Sequence, residues 1–296
     1  MQSCPACGND SFRHRSLVAG LSTRECRCCG LLISSIERSG PVQSEFACVD
    51  DGAYQRSVGE LRRRQAGRIL SFIAPHIPAG ANVLDVGCSF GYFLQRAREA
   101  GFRVAGIEPD AQAYARAREV LGEGVVEKGF LSRTTAKPGS ADLVATLDVL
   151  EHIEPSEQAD FAALVARSLV PSGYWVLKVP TTEGLYYKLS YLLTRLAPAA
   201  GAAFIRRMWQ TEYEFAHTVY FDRRSLACWL NRHGFEVVDW EYLPEVPSST
   251  VIDRLTTDGG IPTWKAYLLA PAVLLVNLIE SLRGRSDALV MAARRR

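Results

Sequence analysis

Between residues 83 and 147 the chain alternates short unbroken apolar runs with longer stretches whose apolar residues recur every three or four positions. Residues 83–86, 103–107, 125–126 and 143–147 read as buried strands, and 92–99 and 111–121 as helices between them. Regular alternation of strand and helix predicts an α/β fold with a doubly wound, mostly parallel sheet covered on both faces. Upstream, a helix over 60–72 is stopped by Pro75, Pro78 and Gly80. Its Arg62-Arg63-Arg64 run reads as a solvated face rather than a phosphate contact. Downstream, 174–179 reads as a fifth strand and 286–293 as a last one, followed by Arg294-Arg295-Arg296 as a solvated tail.

Two apolar stretches break this rhythm. Residues 184–195 are apolar and aromatic with Lys188 and Arg195 interspersed, and Arg206-Arg207-Met208-Trp209 follows. A lid over an acceptor is the expectation, with core packing and a membrane interface as alternatives. Residues 264–282 form a second apolar helix, packing with the lid or lying at an interface. Its apolar run, 267–276 with Pro271 inside, falls short of the roughly 20 residues that span a bilayer even when extended to 279.

Composition narrows the class. A chain of 296 residues with 48% hydrophobic and 22% charged residues is an ordinary globular mixture of about two domains. The formal net charge of +2 lacks the basic excess of a nucleic-acid binder. The first residues, with Cys4, Cys7 and Asp10, do not form the apolar core of a signal peptide. The expected location is cytoplasmic, with peripheral contact at the inner face of a membrane as the variant. Oligomeric state is not legible.

Cys4-Pro5-Ala6-Cys7-Gly8 and Cys26-Arg27-Cys28-Cys29-Gly30 are two knuckles of the CxxCG type. Each offers two thiolates from one tight turn, and Cys4, Cys7, Cys26 and Cys29 together make a tetrahedral set for structural zinc. A redox pair or disulfide framework is the competing account. A segment of about 40 residues has too little core to fold alone, and a metal supplies that stability. The segment resembles a zinc ribbon. Cys48 and Cys228 stand alone and read as small buried apolar residues.

The segment Leu84-Asp85-Val86-Gly87-Cys88-Ser89-Phe90-Gly91 is a strand, a tight glycine turn and a helix start. Such a turn lets a ligand approach backbone N–H groups at the helix terminus. The spacing is not GxGxxG, so a dinucleotide is not the default. Glu108 ends the next strand, where a carboxylate accepts hydrogen bonds from ribose hydroxyls. A solvated strand end is the alternative.

These residues, with Gly106-Ile107-Glu108-Pro109, Ala141-Asp142-Leu143-Val144, Asp148-Val149-Leu150-Glu151-His152-Ile153 and Leu169-Val170-Pro171-Ser172-Gly173-Tyr174, resemble the class I S-adenosylmethionine-dependent methyltransferases. Residues 221–240 look like the family's fifth helix and sixth strand. The resemblance implies a seven-stranded Rossmann-like sheet and a methyl-transferring enzyme. It places Asp85, Gly87, Cys88 and Gly91 around the amino acid moiety of S-adenosylmethionine, and Glu108 at the ribose. Pro109 and Phe130 fall by the adenine, and Leu147 and Asp148 close the pocket. The implied organisation is a zinc ribbon over 1–40, a linker and helix over 41–80 and a methyltransferase domain over 81–296. A lid-like insertion at 181–215 and an apolar helix at 261–283 belong to that domain.

Asp148, Glu151 and His152 resemble the Glu-x-x-Glu-His segment with which ubiquinone-type O-methyltransferases bind magnesium. Here Asp replaces the first Glu and shortens its reach, so capping and local hydrogen bonding are the preferred account over Mg²⁺. His217 and His152 are the candidate catalytic residues, since a neutral imidazole accepts an acceptor's proton. The expected partner is a small molecule: a hydroxyl of a sugar, a lipid-linked glycan or a quinone-like compound. A sugar carbon, an RNA read by the ribbon, and a non-catalytic cofactor-binding scaffold are the alternatives. Against RNA stands the absence of an Asn-Pro-Pro-Tyr-type motif, whose place Asp148-Val149-Leu150-Glu151 takes.

Overall fold

The structure is a computed structural model and describes residues 3–36, 58–257 and 261–296. Cys48 and most of the expected linker lie outside them. The knuckles bracket a hairpin: β1 (Phe12–Val18) pairs antiparallel with β2 (Leu21–Cys26), which pairs with β3 (Leu32–Ile36). After helix α1 (Glu60–Ile73) come β4 (Asn82–Val86), α2 (Tyr92–Glu99), β5 (Arg103–Glu108), α3 (Ala111–Leu121), β6 (Val126–Lys128) and β7 (Ala141–Leu147). Next are α4 (Gln158–Ser168), β8 (Leu169–Pro180), α5 (Leu185–Leu196), α6 (Pro198–Met208), β9 (Val219–Tyr220) and α7 (Arg223–Arg232). The chain closes with β10 (Phe235–Leu243), α8 (Val251–Thr257), α9 (Thr263–Arg283) and β11 (Ala288–Arg295).

The large sheet has seven strands in the order β10-β11-β8-β7-β4-β5-β6. β4, β5, β6, β7 and β8 run parallel, and β11 is antiparallel to both its neighbours. From β4 the chain winds outward through β5 and β6, then returns to β7 on the other side. The crevice for a ligand in such a sheet lies at this switch, beyond the carboxyl ends of β4 and β7. Central strands covered on both faces must be apolar on both, and β4 buries Val83, Leu84, Asp85 and Val86 in succession. β8 shows the two layers: Trp175, Leu177 and Val179 join one core with Trp229 and Phe235, while Val176 joins the other with Ile69, Ile73 and Phe93.

The ribbon is stitched to this domain. β3 pairs with β9, Leu32 opposite Tyr220 and Ile33 opposite Val219, completing a second, four-stranded sheet. Cys4, Ala6, Leu31 and Ile33 share the core that holds Val144, Phe221 and Trp229. The expected lid packs inward: Tyr187, Ile205 and Trp209 of the α5–α6 region meet Leu21 of the ribbon and Tyr220.

Three expectations are corrected. Arg294 and Arg295 are strand rather than tail, opposite Glu236 and Phe235, and the Arg295 guanidinium donates to the Leu169 carbonyl at 2.6 Å. Arg62 is not a solvated face residue but turns inward to Asp148 at 2.6 Å. The apolar helix α9 runs for 21 residues and is, by length and composition, long and apolar enough to cross a membrane. Its flanking Thr263 and Arg283 extend the helix past the apolar run.

Candidate active site

The crevice is built by two sharp turns that face each other. At the end of β4, Gly87 adopts φ +74° and Gly91 φ +78°, a region that disfavours residues with a Cβ. Space enforces the same choice: a Cβ on Gly87 would lie 2.6 Å from Val149 Cγ2, and one on Gly91 2.7 Å from Leu121 Cδ1. Ser89 at φ +50° and Asp148 at φ +59° are left-handed without being glycine. Such backbone strain concentrates where a ligand is gripped.

Two carboxylates line the floor. Glu108 is buried and rigidly aimed, one oxygen accepting from the Ser89 N–H at 2.7 Å and the other from the Asp110 N–H at 2.9 Å. These two bonds fix the Glu108 carboxylate at the end of β5, on the floor of the crevice. Asp85 is also buried, and its Oδ1 has no hydrogen-bond partner. Burial, reinforced by the negative charge of Glu108, pushes the Asp85 carboxyl up to about 8. An orphaned buried carboxyl next to a second one suits a cationic ligand. Cys88 is buried with its Sγ over Gly106, filling space rather than presenting a thiolate. Leu147 is half-buried at the end of β7, Pro109 follows β5, and Phe130 is 65% exposed after β6.

Asp148 is held by cations. Arg62 of α1 reaches it at 2.6 Å and Lys178 of β8 at 2.7 Å, while Lys178 also meets Glu245 at 2.6 Å. Burial opposes ionisation of Asp148, yet Arg62 and Lys178 together outweigh it and hold its carboxyl below the usual range. Lys178 is almost fully buried, whereas Asp148, Glu245 and Arg62 each keep part of their surface in solvent. Sequence reasoning misses Lys178, Arg62 and Glu245. One signal was available, because a lysine inside the otherwise apolar Tyr174-Trp175-Val176-Leu177-Lys178-Val179 run needs a buried anion.

Asp148 does not join Glu151 and His152, so the magnesium set suggested by the ubiquinone-type resemblance is not assembled. Instead Glu151, His152 and His217 converge, with one side-chain donor atom of each within 4.8 Å of the others. The imidazoles of His152 and His217 meet edge to face, centroids 4.8 Å apart. Three elements place them. The Thr218 N–H donates to the Glu151 carbonyl at 2.7 Å, and the His217 N–H to the Trp209 carbonyl at 3.0 Å. From the ribbon, the Ser34 hydroxyl donates to the His217 carbonyl at 3.0 Å.

Both carboxyl oxygens of Glu151 and the Nδ1 of each histidine lack hydrogen-bond partners. Each Nδ1 is therefore uncommitted and open to a proton from an acceptor. The backbone at Phe215 and Ala216 beside His152, and at Met208 beside His217, only partly offsets the effect of burial on the two imidazoles. Burial lowers the pKa of His152, and burial with the neighbouring His152 lowers that of His217 further. Burial and Asp148 raise Glu151 well above the carboxylate range. At neutral pH the two imidazoles are neutral bases, and burial favours the protonated form of the Glu151 beside them.

At the ribbon, Cys4 Sγ lies 3.6 Å from Cys29 Sγ and Cys7 Sγ 3.5 Å from Cys26 Sγ, with all four sulfurs mutually within 4.8 Å. Four sulfurs at about 2.3 Å from one tetrahedral ion would sit at a similar spacing. Cys28 is exposed and outside the group. Gly8 and Gly30 each return an N–H to the first cysteine's carbonyl, at 2.8 and 2.9 Å, which closes the two knuckles.

Comparison with known proteins bears on this geometry. A family model described as a methyltransferase domain matches residues 58–239. A Mycolicibacterium smegmatis protein described as "Probable S-adenosylmethionine-dependent methyltransferase" is 30% identical over 201 residues, 67% of this chain and 77% of that one. The ubiquinone biosynthesis O-methyltransferase of Sodalis glossinidius is 32% identical over 99 residues, 32% of this chain and 39% of that enzyme. Among solved structures, an S-adenosylmethionine-dependent methyltransferase from Archaeoglobus fulgidus aligns with a TM-score of 0.50 at 18% identity, covering 80% of this chain and 96% of that one. The 1,6-didemethyltoxoflavin-N1-methyltransferase of Burkholderia thailandensis, solved with S-adenosylhomocysteine, aligns over 96% of this chain and 99% of its own at a TM-score of 0.50 and 17% identity. At such identities the structural likeness is one of fold.

Proposed function

The chain belongs to the methyltransferase-domain family and is an S-adenosylmethionine-dependent methyltransferase; from that premise we propose that it methylates a hydroxyl of a small molecule, a sugar, lipid-linked glycan or quinone-like compound, with His152 as the base. The observation that carries this reading is the pair of neutral imidazoles with bare Nδ1 atoms, placed just past the carboxyl end of β7. S-adenosylmethionine supplies a methyl group on a positively charged sulfur, ready for in-line displacement. In the proposed pocket Asp85 and Glu108 hold the cofactor's ammonium and ribose, and Gly87, Cys88 and Gly91 let it approach the backbone. Pro109, Phe130, Leu147 and Asp148 border it.

Methyl transfer to oxygen forms an O–C bond, breaks the S–C bond and releases the hydroxyl proton. His152 is the less buried imidazole and takes that proton on Nδ1; His217, packed behind it, supports its orientation. The ubiquinone biosynthesis O-methyltransferases also act, by name, at oxygen. Zinc at Cys4, Cys7, Cys26 and Cys29 is structural in this reading, because all four ligands come from the protein.

The test supplies methyl-labelled S-adenosylmethionine and a panel of phenolic and sugar acceptors to the purified protein. The expected product is a methyl ether. His152→Ala and His217→Ala are expected to lower kcat by about 10²–10⁴-fold with unchanged cofactor affinity. The acid limb of the pH–rate profile should fall below the ordinary histidine value, since a depressed base stays neutral to lower pH. Full turnover in His152→Ala, or label on carbon or nitrogen, overturns the proposal.

A further inference from the structure

Helix α9 does not behave as the core helix its composition suggests. Only 17% of its apolar window is buried. Trp264, Tyr267, Leu268, Leu275, Leu278 and Leu282 are exposed, Leu268 by 71% and Leu282 by 80%. At 100° per residue these six fall on one face of the helix, a stripe about 30 Å long. Isolated exposed leucines need no explanation, but a continuous stripe of this length marks a contact surface. On the contiguous pair α5–α6, Leu192, Leu196 and Phe204 are also exposed.

The opposite side of α9 is bound to its own domain. Ala266 and Ala270 are buried. The Asn277 amide donates to the Val246 carbonyl at 2.8 Å and accepts from the Tyr186 hydroxyl at 2.8 Å. Glu280 accepts from the Leu185 N–H and from the Ser286 hydroxyl. These bonds keep lipid from surrounding the helix, so its length does not make it a span.

Charge says what covers the stripe. Helices α5, α6 and α9 carry six basic residues, Lys188, Arg195, Arg206, Arg207, Lys265 and Arg283, all exposed. Their only acidic residue is Glu280, which is buried. The whole chain nets only +2, so positive charge is concentrated on these helices. A second copy of the chain would set this basic rim against itself, whereas an anionic lipid surface complements it. Trp264 and Tyr267 have the apolar body and polar edge that suit the headgroup boundary. We infer that α9 lies flat on an anionic membrane, its leucine stripe in the acyl boundary and its basic residues at the phosphates.

The experiment floats the full chain with vesicles of phosphatidylcholine alone or with about a third phosphatidylglycerol. At low salt the anionic vesicles should bind at least tenfold more protein, and ~0.5 M salt should reverse most of that gain. Leu268→Glu with Leu275→Glu, both on the exposed stripe, should abolish binding while cofactor affinity stays unchanged. Lys265→Glu with Arg283→Glu should lower it at least tenfold. Equal binding to both vesicles, no binding, or retention by the leucine pair overturns the inference. So does a dimer in solution that the leucine pair converts to monomer, which would assign the stripe to a second copy. Methyl transfer is assayed separately, so either result leaves the chemical reading standing on its own test.

Discussion

Asp85 shows how one side chain couples cofactor binding to pH. Its carboxyl sits near 8 because of burial and Glu108, so it is largely protonated at neutral pH. A raised acid contributes stability that is fully present below its unfolded value near 4 and is lost as pH rises towards 8. A cationic ligand reverses the preference and drives the proton off. Cofactor affinity should therefore tighten by close to tenfold per pH unit below about 8 and level off above it. Titration calorimetry in buffers of different ionisation enthalpy should detect the released proton, and Asp85→Asn should flatten the profile. Lys178 carries the opposite lesson. Removing its charge in Lys178→Met leaves Asp148 and Glu245 facing each other with Arg62 alone, which should cost ~3–5 kcal/mol in denaturant unfolding. Because Asp148 and Glu245 are held below the ordinary carboxylate range, wild-type stability falls as pH drops through their folded values. The variant should lose stability at higher pH than the wild type does.

At the scale of elements, the Gly91 turn governs how closely α2 and α3 pack. Gly91→Ala adds a Cβ against Leu121 and strains a backbone at φ +78°, so ~1–3 kcal/mol of destabilisation is expected in urea unfolding. The α/β elements were the legible part of the sequence. Helices 92–99 and 111–121 coincide with α2 and α3, because their apolar residues keep one period and glycines or a capping Asp110 bound them. β8 starts at Leu169 rather than 174, because Leu169 pairs with Ala141 before a register shift that the Pro171-Ser172-Gly173 turn chemistry conceals. β9 was illegible: two residues carry no periodicity, and their strand exists only because β3 supplies the partner. The Glu151–His152–His217 cluster has the same origin. His152 and His217 were each singled out, but their meeting depends on the 216–218 segment folding back onto the turn after β7.

Across the whole molecule, the ribbon and the acceptor cluster form one mechanical unit. β3 holds β9 and Ser34 holds the backbone of His217, so the knuckles lie one strand away from a candidate catalytic residue. Stripping the proposed zinc, or Cys29→Ser, should lower the melting temperature and reduce turnover by about 10²-fold together, since small displacements of positioned groups carry large rate losses. Metal content, thermal unfolding and label transfer on the same sample check this, and an apo protein with full turnover would uncouple the two. The strand order has a different consequence, for how the chain is made. β11 lies between β8 and β10, so neither can meet its neighbour on that side until residues 288–295 have been synthesised. At ribosomal speeds of about 5–20 residues per second, the stretch after β10 takes several seconds to emerge. For that interval the nascent sheet keeps an open edge at β8, with Trp175 and Val179 on a strand that later becomes interior. Mispairing at that edge during translation is the hazard this topology sets for the cell.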